Sequence, residues 1–143
     1  MNRPIHRQQG VMLLEALIGI LIFSVGILAL IGMQATAMRA TIDAKYRSEA
    51  SFLANEVLGM MWVADKTNLA AFATSAGTPA TCPGSPVCPW ITRVERLLPN
   101  AVGANAPEIA IATNEVTVTV RWQPPGDAQP SNHVAVTQIN GGT

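Results

Sequence analysis

Charge is scarce in this chain of 143 residues. Asp, Glu, Lys and Arg make up 13% of it, and nine acids balance nine bases to a formal charge of zero. That leaves no basic face with which to neutralise phosphates, so nucleic acid is not an expected partner. Histidine is limited to His6 and His133, and cysteine to Cys82 and Cys88. No nucleophile stands in a recognisable arrangement with a base, no two acids sit at a useful spacing, and no glycine-rich loop offers to cradle a phosphate. Neither enzymatic chemistry nor a cofactor is expected, and His133, beside a strand pattern, reads as a surface histidine.

What the chain does have is a long apolar run, GVMLLEALIGILIFSVGILALIGM over residues 10–33. From Val11 to Met33 the only charge is Glu15 and the only other polar residue is Ser24. About 20 helical residues cross a bilayer core of roughly 30 Å, so the run is long enough to span. Gly19, Gly26 and Gly32 lie on it, and small residues let neighbouring helices approach. Glu15 is the anomaly. A carboxylate here either snorkels to the membrane surface or finds a cation. A cut after Gly10 would give Val11 a free amine, a partner for Glu15 of the same chain or of a neighbour. A buried pair of this kind specifies register more than it adds stability.

The leader MNRPIHRQQG carries Arg3 and Arg7 and no acid, which keeps it cytoplasmic and sends the chain beyond Met33 across the membrane. Residues 11–143 keep seven bases against nine acids. Ala35-Thr36-Ala37 fits an ordinary secretory cleavage site, but the apolar run exceeds the usual 7–15 residues of a signal peptide. A plain single-span anchor leaves Gly10 and Glu15 unexplained. In an exported domain Cys82 and Cys88, six apart around a turn-rich PGSPV, read as a disulfide. Two free thiols are the first alternative. A metal site is the second, and it lacks ligands, since a structural site takes about four.

Gly10 followed by Val11-Met12-Leu13-Leu14-Glu15 and the apolar run resembles the class III signal of type IV prepilins and pseudopilins. The family usually has Phe first and Thr second after the cut, where this chain has Val11 and Met12. The resemblance implies a prepilin peptidase that cuts between Gly10 and Val11 and methylates the Val11 amine. It also implies that Glu15 places the subunit in a growing filament.

Past the run, residues 34–66 contain no proline, and Met38, Ile42, Tyr46, Ala50, Leu53, Val57 and Met61 recur at helical spacing. Asp43 and Arg47 stand four apart in the favourable order. One helix from Val11 to about Asp65 is predicted, with 11–33 as its membrane or filament-core half and 34–66 as its amphipathic half. Residues 67–89, rich in Thr, Ser, Ala, Gly and Pro, read as a surface loop. Trp90–Leu98 reads as a short helix between Pro89 and Pro99, with Trp90, Val94, Leu97 and Leu98 on one face. Strands are predicted near 108–112, 116–122 and 133–139, the middle one on the alternation of Val116, Val118, Val120 and Trp122. The expected architecture is α+β: a long N-terminal helix packed by a small antiparallel sheet in a head of residues 67–143. The tail from Asn140 is expected to fray.

SFLANEVLGMMW on the long helix, WITRVERLLP and EVTVTVRW narrow the resemblance to the PilV type of minor pilin, the type IV pilus modification proteins. This implies a type IV pilin-like fold and a subunit that helps initiate pilus assembly, and so bears on adhesion and twitching motility. The implied partners are other minor pilins and the major pilin through the N-terminal helix, the prepilin peptidase and the inner-membrane assembly platform. The implied location is a single-pass inner-membrane protein of a Gram-negative bacterium with its head in the periplasm, then the filament or its tip. A minor pseudopilin of a type II secretion system resembles the chain over the same N-terminal motif.

Overall fold

The computed structural model of the chain describes residues 9–76 and 84–139. It falls into two compact units, residues 1–42 and 43–143. One helix, α1 (Gln9–Val63), contributes to both. It is followed by a 3-10 segment at Lys66–Phe72, α2 (Cys88–Leu97), a short 3-10 turn at Gly103–Asn105, and the strands β1 (Glu108–Ala112), β2 (Glu115–Trp122) and β3 (Ser131–Gln138). The strands form an antiparallel meander in the order β1-β2-β3.

In the second unit the C-terminal part of α1 packs with the sheet around one core. Ala50, Leu53, Ala54, Val57, Leu58 and Met61 of α1 are buried with Trp90 and Val94 of α2, Ile109 of β1, and Val116, Val118, Val120 and Trp122 of β2. The two periodicities explain this. Every third or fourth residue of α1 and every second residue of β2 turn toward the same interior. Burial on α1 begins around Tyr46, which packs partly against the core, whereas Met38 and Ile42 of the predicted stripe are exposed. Asp43 and Arg47 form no ion pair; among the described residues the two salt bridges are Arg93–Glu56 and Arg121–Glu108.

α2 is tied to α1 by a buried hydrogen bond in which Trp90 Nε1 donates to the Leu53 carbonyl at 2.8 Å. The Arg93–Glu56 pair flanks it. Trp90, Val94 and Leu98 are buried, while Leu97, expected on the same face, is partly exposed. Pro89 falls in the first turn of α2, where its missing N–H has no helical partner to lose.

The segment read as a surface loop is partly built. Within Lys66–Phe72, Leu69 and Phe72 are buried, Asn68 breaks the helical geometry, and the Asp65 side chain caps the start. Thr74 then bridges to Ile109 of β1. Lys66 Nζ donates to the carbonyls of Met61 and Trp62, placing a cation on the open C-terminal end of α1. Cys88 opens α2 and is disulfide-bonded. Cys82, its expected partner, lies outside the described residues, as do residues 1–8, the rest of 77–83, and the tail 140–143.

β3 takes the opposite phase from the one its valines suggest. Ser131, His133, Ala135 and Thr137 are half-buried, whereas Val134 and Val136 are 49% and 58% exposed. Ile139, next after the strand in the same phase as the half-buried set, is buried. A one-residue slip would exchange the two faces and expel Ile139. His133 stands opposite Val120 and is half-buried, keeping part of its surface accessible.

Candidate functional site: the exposed N-terminal helix

Residues 11–42 of α1 are exposed along their whole length. The large apolar side chains from Val11 to Met33 keep 41–75% of their surface accessible. α1 is the one helix among the described residues long and apolar enough to cross a membrane, and none of its most apolar stretch is buried. Such a surface is far beyond the few hundred Å² of contiguous apolar area usual on a soluble monomer.

The few polar atoms on this stretch are arranged for an apolar surrounding. Ser24 Oγ donates to the Ile20 carbonyl at 2.7 Å, Thr36 Oγ1 to that of Gly32 at 3.2 Å, and Thr41 Oγ1 to that of Ala37 at 3.0 Å. Each hydroxyl is thereby satisfied by its own helix, as lipid or a packed helix bundle requires. A Cβ added at Gly19, Gly26 or Gly32 would meet nothing within 4 Å, so the helix surface is open at all three.

Glu15 stands nearly two turns into this helix with its side chain exposed and no salt bridge among the described residues. Gly10 and Val11 lie in the first helical residues, and Val11 is exposed. Gly10, Val11 and Glu15 thus share one helix end, with Val11 and Glu15 four apart and so on the same face. In the uncut chain the Val11 nitrogen is an amide and offers Glu15 no charge. Cleavage at Gly10 is what would turn it into a cation beside the carboxylate.

Cys88 is remote in sequence from this end and belongs to the head. Among the described residues no group of His, Cys, Asp and Glu could hold a metal ion. Sequence reasoning missed the 3-10 segment with its Asp65 cap and Thr74 bridge; the one local signal for it was Asp65 followed two residues on by Thr67. No protein-family model, curated protein or solved structure matches the chain.

Proposed function

We propose that the chain is a minor pilin of the PilV type, a non-enzymatic subunit that helps initiate assembly of a type IV pilus. The observation that carries this reading is Glu15, a single carboxylate five residues past Gly10 on a helix whose apolar surface is otherwise uninterrupted and exposed to Met33.

The steps follow from the chemistry of that helix end. The bilayer holds residues 11–33 until assembly, with Arg3 and Arg7 of the leader on the cytoplasmic side. Prepilin peptidase hydrolyses the Gly10–Val11 bond and methylates the new amine, which stays cationic. Extraction into a filament exchanges lipid contacts for helix–helix contacts, a change of nearly equal apolar burial. The Val11 amine and Glu15 then decide axial register, because an unpaired charge in the filament core is costly and a paired one is tolerated. The open surfaces at Gly19, Gly26 and Gly32 suit close helix packing. The head, which buries its own core within residues 43–143, is the part left to meet other subunits.

The experiment is a shear fractionation. Wild-type chain is expected in sheared pili at low copy, and its deletion is expected to reduce piliation and twitching. Recovery with a secretion apparatus instead of pili would move the chain to the type II pseudopilins.

A further inference from the structure

β3, Ser131–Gln138, is an edge of the sheet. Which of its backbone groups face outward follows from the ladder. Ile139 N–H donates to the Asn114 carbonyl at 2.7 Å, one step past the Glu115–Gln138 pair. In an antiparallel ladder, residues that exchange bonds recur at every second position. Ser131, His133, Ala135 and Thr137 therefore turn N–H and C=O toward β2. Asn132, Val134, Val136 and Gln138 turn theirs away from the sheet. The far edge agrees. Ile109 exchanges backbone bonds with Thr74 at 3.0 and 3.1 Å, so it faces away from β2, and its β2 neighbour Val118 directs its own groups to Ala135.

The two edges are finished differently. The edge of β1 is met by Thr74, whose Oγ1 also accepts from Ile109 N–H at 3.0 Å. The edge of β3 is met by no strand among the described residues. It pairs with β2 over eight consecutive residues without a bulge, and it contains no proline, glycine, lysine, arginine or acid. These are the devices by which proteins keep strand edges from pairing.

The edge, SNHVAVTQ, is partly symmetric about Ala135, with His133 falling opposite Thr137. Val134 mirrors Val136, and the amide side chain of Asn132 mirrors that of Gln138. We propose that β3 pairs antiparallel with β3 of a second copy, centred on Ala135, and joins two three-stranded sheets into one of six. This register sets the outward groups of Val134 against those of Val136 of the second copy, and Asn132 against Gln138. Ala135 faces itself at a non-hydrogen-bonded pair, where strands come closest, about 4.5 Å between Cα atoms, and a small side chain fits. On the outer face the four valines, 49% and 58% exposed at Val134 and Val136 in one copy, cover one another. His133 lies opposite Thr137, so no like charges meet at any pH. The pairing is isologous and closes at two copies. It rests on the sheet alone and not on the pilin reading.

The test uses the full chain in detergent, with mass followed by sedimentation over a concentration series. The wild type is expected to pass from monomer to dimer. The double substitution V134K/V136K sets like charges directly opposite in two symmetric pairs and is expected to weaken the dimer by roughly tenfold or more. V134E/V136K sets opposite charges in the same pairs and is expected to restore it. Both positions are exposed, so the fold tolerates the changes, and the near-ultraviolet signal of Trp122 checks this. A wild type that stays monomeric overturns the proposal. So does a dimer indifferent to both substitutions, which would assign association to the apolar helix, or a failure of V134E/V136K to restore pairing, which would refute the register.

Discussion

A carboxylate on an apolar helix needs water or a cation; in the proposed pilin reading, filament assembly would remove the water around Glu15 and leader cleavage would supply the cation. Glu15→Ala is expected to leave membrane insertion and cleavage unchanged and to deplete the chain from sheared pili; wild-type amounts in the sheared fraction would contradict that role. At Thr113, in the two-residue turn between β1 and β2, a β-branched residue holds φ at +57°. That region costs an L-residue about 1–2 kcal/mol, and glycine enters it freely at an entropic cost of roughly 0.5–1 kcal/mol. Thr113→Gly should therefore raise the unfolding midpoint slightly, and a lower midpoint would show that Thr113 makes compensating contacts. Asp65 offers a pH test. The Thr67 backbone N–H and then the Thr67 hydroxyl donate to its carboxylate and lower its pKa. A depressed folded-state value means that the cap stabilises above the unfolded value and is lost as pH falls through the folded one. Asp65→Asn is expected to flatten the acid limb of a stability–pH curve around and below about pH 3.9, with little change at neutrality.

Among the elements, α2 is fixed by Trp90. Trp90→Phe keeps the ring in the core but removes the indole donor to the Leu53 carbonyl, which retains its helical bond, a loss of about 0.5–1.5 kcal/mol measurable by denaturant titration. An unchanged midpoint would mean that water replaces the indole N–H. The long helix and β2 were legible in the sequence because each has one unbroken period: no proline from residue 34 to 66, and strict alternation from Val116 to Trp122. The 3-10 segment was not, because Leu69 and Phe72 are too close together to show a period and owe their conformation to burial in the head. In β3 the sequence shows two phases, Val134 and Val136 in one and Ile139 in the other; the ladder through Asn114, which the strand's own residues do not show, decides for Ile139. At the N-terminal end, Gly10, Val11 and Glu15 were legible as residue types at a spacing. The outward edge of β3 became visible only once the register was known.

At the scale of the whole molecule, the chain couples an exposed apolar helix to a head that buries its own core. The head needs nothing from residues 11–42 to bury Leu53, Met61, Ile109 and Trp122, all of which lie within residues 43–143. That independence suits the proposed reading, in which the surroundings of the first helical half would be exchanged from lipid to filament while the head persists. The measurement that tests this account most directly is the intact mass and N-terminal sequence of the protein recovered from a membrane fraction. The account predicts a chain that begins at N-methylated Val11. A chain that keeps Met1, or one that begins after Ala37, would contradict it.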